Sequence, residues 1–146
     1  MGSLISVNEN YVLCKPCEYM NNSGQTLSRV LRELKIDISR VLLVYDELDI
    51  GVGRYKLTKR KERQVAHRGV RDIDTRYPLD SILKLKVGIA PLENQRLVIK
   101  EFVMQDFLEE ELEKISKIEG EIFKIFERFI SLSDEELEDP INYIKR

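Results

Sequence analysis

The sequence predicts a single α/β domain of three layers, with helices on both sides of a mixed sheet. Three observations lead there. Short apolar runs of strand length alternate with helical periodicities along the chain. No internal repeat and no Pro-, Gly- or Ser-rich linker divides the 146 residues. A hydrophobic fraction of 42% beside 34% charged residues suits one apolar core under a charged surface.

The elements follow in order. Tyr11–Lys15 reads as a short strand stopped by Pro16. Asn22 or Ser23 is placed to cap a helix running through Lys35, with Leu27, Val30, Leu31 and Leu34 on one face. Arg40–Tyr45 is a continuous apolar run, the pattern of a strand buried on both faces. Asp46–Gly53, with glycines at 51 and 53, reads as a loop before a strand at Arg54–Leu57. Gly69–Tyr77 is a short helix ended by Pro78, and Ile82–Ile89 is a strand with a period of two. Leu108, Leu112, Ile115, Ile122, Phe126 and Phe129 recur at helical spacing, which predicts a long helix with its apolar stripe in the core. Asp134–Ile144 forms a last short helix.

No apolar run approaches the ~20 residues a bilayer span requires. The opening residues lack the basic and apolar regions of a secretory signal, so a cytoplasmic protein without a membrane partner is expected. Cys14 and Cys17 have C-x-x-C spacing, but a zinc site would need two further ligands and His67 is the only histidine. Two reduced thiols at a strand end are expected instead, with no bound metal or other cofactor.

The net charge of −2 conceals a strong polarity. Between Arg54 and Arg71 eight bases face the single acid Glu62, a net of +7, whereas from Asp106 onward thirteen acids face six bases, a net of −7. A basic stretch of that density points to a polyanionic partner at one face; a solvated basic loop is the alternative.

Three segments carry the candidate chemistry: KPCEYMNNSG at Lys15–Gly24, YDELDIGVGRYKL at Tyr45–Leu57, and AHRGVRDI at Ala66–Ile73 followed by LKLKVGIAP at Leu83–Pro91. In this order, with spacings kept apart from one insertion, they resemble the bacterial-type peptidyl-tRNA hydrolases. That family reads K-P-x-T-[YF]-M-N-x-S-G, then H-D-[ED]-L-D, then G-G-H-N-G-L-[RK]-[DS]-I and R-[LV]-[RK]-[LIV]-G-I-G-x-P. The resemblance implies a three-layer α/β fold, no cofactor, and hydrolysis of the ester joining a peptide to tRNA, with peptidyl-tRNA and possible ribosome contacts as partners. Ester cleavage requires a positioned water, a base and donors for the oxyanion. By resemblance Asn21 positions the water, for which an amide offers both donor and acceptor. Tyr19 and Met20 would then line the substrate side; the plainer reading of Asn21 is a helix cap.

The same resemblance makes Asp46 the aspartate that orients a catalytic histidine. The family's histidine lies in a T-R-H-N-x-G motif after a first strand ending G-N-P-G, and neither motif occurs in these residues. The sequence therefore predicts a family fold lacking its first strand and helix, and an Asp46 without an imidazole partner. His67 matches a second family histidine and is the only candidate base left, while Arg68 replaces an asparagine that helps hold substrate and water. The glycines before it have become TKRKERQVA. Arg54 and Lys56, and likewise Lys84 and Lys86, alternate so that each pair shares one strand face. By resemblance both pairs contact tRNA phosphate, and the charge of Lys59–Arg63 adds to them. Three readings stay open: an incomplete hydrolase, a degenerate tRNA- or ribosome-binding protein, and a protein whose missing layer comes from a second chain.

Overall fold

A computed structural model describes residues 3–61, 64–91 and 99–145. The chain begins with an antiparallel hairpin, β1 (Ser3–Val7) and β2 (Val12–Pro16), closed by a turn in which the Asn8 amide donates to the Tyr11 carbonyl. Strand β1 was not expected, although SLISV followed by NEN and YVLC is a hairpin pattern. A 3₁₀ turn at Met20–Asn22 leads into α1 (Ser23–Leu34), which stops where Lys35 takes a left-handed φ of 53°. Then come β3 (Leu42–Gly51), β4 (Tyr55–Thr58), α2 (Arg68–Asp74), β5 (Leu83–Ala90), α3 (Ile99–Phe102), α4 (Glu109–Ser131) and α5 (Pro140–Ile144).

The main sheet has the order β3-β5-β4 and is mixed, since β3 runs parallel and β4 antiparallel to β5. One face is covered by α4 and α5, where Leu57, Leu83 and Leu85 pack with Ile125, Leu132, Leu137 and Ile144. On the other face Tyr45, Val70, Ile73, Leu79 and Ile82 form a second cluster joined by Leu27 of α1. The three-layer arrangement is therefore two apolar cores separated by one small sheet.

Several elements differ from expectation. The apolar run ending at Tyr45 is not buried on both faces; β3 is an edge of the main sheet, and Val44 is 44% exposed. The strand buried on both faces is β5, which lies between the other two. Asp46–Gly51 is not a loop, because β3 continues through it with an irregular register between Glu47 and Gly51. The true turn is tighter and uses Gly53 at φ +82°. The final segment is split by Pro140, which lacks an N–H and opens α5 after a separate 3₁₀ turn at Glu136–Glu138. Only the C-terminal half of α4 packs on the sheet; Leu108 just before it and Leu112 in its first turn remain exposed.

The outer side of β3 borders a cavity of about 840 Å³, walled by β2, α1 and the Phe126–Ile130 part of α4. Asp46 and His67 line the same cavity. The fold thus brings the first and third sequence segments to the middle of β3, at Asp46.

Candidate functional site

The site is assembled by α2. His67 is its N-cap residue, extended at φ −67° and ψ 117°, so the ring turns back over the first turn of the helix. The Val70 amide donates to His67 Nδ1 at 3.3 Å. An amide can only donate, so Nδ1 is the unprotonated nitrogen and the ring proton sits on Nε2. From there it is donated to Asp46 Oδ1 at 3.1 Å. Tyr45 packs edge-on against the same ring, with centroids 5.3 Å apart.

Asp46 was expected to have no imidazole partner, and this is corrected: it holds His67, because the segment before α2 folds back against the middle of β3. His67, which the sequence left as the only candidate base, is engaged on both sides of its ring. Both ring nitrogens are committed, one to a helix amide and one to a carboxylate, so neither offers a lone pair to a water. His67 acts as a helix cap.

The hydrogen bond from His67 holds the Asp46 carboxyl below its ordinary value of 3.8, against the opposing effect of partial burial. A carboxyl whose folded value is depressed stabilises the fold above its unfolded value, and this contribution is lost as pH falls through the folded one. Asp46→Asn is therefore expected to flatten the acid limb of the stability curve, read as urea midpoints from about pH 5 to about pH 2. An acid limb identical to wild type would show that the pair contributes nothing.

Met20 lines the cavity beside Ser23 and His67. Asn21 follows it on the same 3₁₀ turn, exposed, and Tyr19 is exposed on the approach to that turn. Asn22 occupies the cap position of α1 but makes no side-chain cap bond. Arg68 is exposed at the start of α2.

The four strand bases divide sharply. Arg54 and Lys56 are exposed at the β4 edge of the sheet. Lys84 and Lys86 do share one face, but that face is turned toward α2 and the interior, where they are 1% and 6% exposed. The Lys84 ammonium donates to the carbonyls of Leu79 and Ile82, and Lys86 donates to Glu47 Oε2 at 2.8 Å. Neither is placed to reach a phosphate. The expected phosphate role of this pair is corrected for that reason: the second helical layer covers the face their alternation defines. Lys59 is likewise committed, to the carbonyls of Leu137 at 2.9 Å and Glu138 at 3.2 Å. Arg60 and Lys61 are exposed, and Arg63 lies outside the described residues.

Sequence reasoning missed Glu47 and Tyr45, which surround Lys86 and His67. The acid of D-E-L-D was visible, but its partner is set by the parallel register that places Tyr45 opposite Lys86. Both cysteines are free and exposed, and no group of three or more potential metal ligands occurs among the described residues. No helix among them is long and apolar enough to cross a membrane.

A cavity beside the edge strand of an α/β sheet, lined by Met20, Ser23 and an Asp–His pair, defines a ligand-binding class of site. The particular family follows from comparison: the model of the peptidyl-tRNA hydrolase family matches residues 2–145, and the chain belongs to that family. The peptidyl-tRNA hydrolase of Mycoplasmopsis pulmonis is 30% identical over 134 residues, 86% of this chain and 70% of that protein. That of Aquifex aeolicus is 32% identical over 124 residues, 85% of this chain and 64% of that protein. The crystal structure of peptidyl-tRNA hydrolase from Acinetobacter baumannii shares the fold, with a TM-score of 0.72 at 22% identity, covering 97% of this chain and 70% of that one. The chain spans 70% and 64% of the lengths of these two curated relatives.

Proposed function

We propose that this chain engages peptidyl-tRNA, holding the peptide-bearing 3′ end at the cavity mouth beside Asn21 and Asp46, with weak hydrolysis of its own. The observation that carries this reading is the convergence of Met20, at the start of the turn that bears Asn21, with Asp46 and His67 on the wall of a cavity of about 840 Å³. Membership of the family supplies the substrate class. The apolar walls suit a peptide or a base. Arg54, Lys56, Arg60 and Lys61 supply an exposed basic strip for phosphate. A second reading, binding of tRNA without any turnover, free or at the ribosome, is favoured by the commitment of both His67 nitrogens.

Affinity for tRNA is expected to fall with salt, because each neutralised phosphate releases condensed counterions, with a slope of roughly −0.7 to −0.9 per contact. Arg54→Ala with Lys56→Ala should reduce that slope by about two contacts' worth and show little preference among tRNA sequences. Titration of fluorescent tRNA at several salt concentrations tests this. Salt-insensitive binding, or a double variant that binds as wild type, removes the phosphate strip from the reading.

A further inference from the structure

Helix α1 begins without a cap of its own. Asn22 stands at the cap position and its side chain makes no cap bond. The amide of Gly24, in the first turn, is instead satisfied from another helix: it donates to Asp72 Oδ2 of α2 at 2.7 Å, across 48 residues of sequence. A carboxylate at a helix N-terminus is favoured by the aligned peptide dipoles, and the bond is strengthened by its charge.

The approach of the two helices leaves no spare room. A Cβ on Gly24 would lie 2.5 Å from the Asp72 carbonyl oxygen and 2.9 Å from its Oδ2. A Cβ on Gly69 would lie 2.6 Å from Met20 Sδ and 2.9 Å from Ser23 Oγ. Ser23 Oγ in turn donates to the Met20 carbonyl at 2.8 Å, and the Asn22 amide donates to Tyr19 at 2.8 Å, which closes the turn carrying Asn21. The same seven-residue helix α2 therefore does two things. Its cap, His67, binds Asp46 in the middle of β3, and one turn further on Asp72 grips the start of α1.

We infer that Asp72 is a positioning residue: its carboxylate fixes the Met20–Asn22 turn, and with it the Asn21 amide, relative to the Asp46–His67 pair. Asp72 acts on substrate only through Asn21. Its effect on substrate rests on the proposed engagement of peptidyl-tRNA, whereas its effect on the turn does not.

The experiment uses the full chain and two readouts. Amide hydrogen exchange by NMR reports the turn. In Asp72→Ala, exchange at Gly24 and its neighbours in the first turn of α1 is expected to accelerate at least about ten-fold, the scale of a lost hydrogen bond to a charged group. The amides of β5 should stay protected. Asp72→Asn, which keeps an acceptor oxygen, should restore most of the protection. Gly24→Ala should mimic Asp72→Ala by pushing the two helices apart, and with Asp72→Asn it decides the matter if Asp72→Ala does not fold. Unchanged exchange in Asp72→Ala and Gly24→Ala overturns the inference. So does a loss spread equally over β5 in Gly24→Ala and Asp72→Asn, since that marks a merely structural role.

The second readout is the ratio of affinities for N-blocked aminoacyl-tRNA and deacylated tRNA. Asp72→Ala is expected to lower this ratio as Asn21→Ala does, with the salt slope unchanged and Asp72→Asn rescuing it. If the turn loosens and a wild-type preference for the blocked tRNA survives in Asp72→Ala, Asp72 does not position Asn21 for substrate. If wild type itself shows no such preference, the proposed engagement of the ester end fails, and the exchange data still decide whether Asp72 holds the turn.

Discussion

Under single-turnover conditions this chain is expected to release peptide from N-blocked aminoacyl-tRNA about 10²- to 10⁴-fold more slowly than an enzyme with a free, positioned base, the range such a base is commonly worth. The reason is local geometry. The Val70 amide occupies His67 Nδ1, and Asp46 takes the proton on Nε2, so the only histidine of the 146 residues has no nitrogen left for a water. His67→Ala should accordingly leave the residual rate nearly unchanged. It should cost about 1 to 2 kcal/mol of stability instead, the usual loss on removing a helix cap. Robust turnover by wild type that disappears in His67→Ala at unchanged stability would reverse the assignment and make His67 the base. Asn21→Ala separates the roles from the other side, since an exposed residue on a turn should affect engagement of the ester end more than the melting temperature.

The largest expected loss of stability comes from a residue with no direct part in substrate chemistry. Glu47→Ala should destabilise the fold by about 3 kcal/mol, because it strips the carboxylate from a buried ammonium while leaving the charge in place. The side chains of Lys86 and Glu47 are 7% and 14% exposed and 2.8 Å apart, so solvent screens them little. Asp46→Asn, at a half-exposed position, should cost less. Lys84→Met gives the contrasting case. It removes the donor serving the Leu79 and Ile82 carbonyls but also removes a buried charge, and a loss of about 1 to 3 kcal/mol is expected. Urea melts beside tRNA titrations check both. If Lys84→Met weakened tRNA binding and left the urea midpoint unchanged, Lys84 would be a phosphate contact after all.

Much of the element order was legible because local patterns follow backbone periodicity. Leu27, Val30, Leu31 and Leu34 mark α1, Pro78 ends the turn after α2, and the alternation of LKLKVGIA marks β5. Alternation says which residues share a face and nothing about what covers that face. Leu83 and Leu85 meet α4 as an amphipathic strand should, while Lys84 and Lys86 meet carbonyls and a carboxylate under the second helical layer. A surface-like lysine row was thereby turned inward. The run ending at Tyr45 misled in the opposite direction, since apolar composition cannot tell a central strand from an edge.

By itself the sequence determined the α/β class, most of the helices and strands, the family likeness carried by Tyr19–Gly24 and Asp46–Asp49, and the concentration of positive charge between Arg54 and Arg71. These are properties of neighbouring residues and their spacing. Only the tertiary structure decided that β5 is central and β3 an edge, that Asp46 binds His67, that Glu47 neutralises Lys86, and that Asp72 caps α1. Each of those joins groups at least 21 positions apart, through strand register or helix packing. Such pairings are set by which surfaces bury together, a choice made by the whole chain at once and carried by no local pattern.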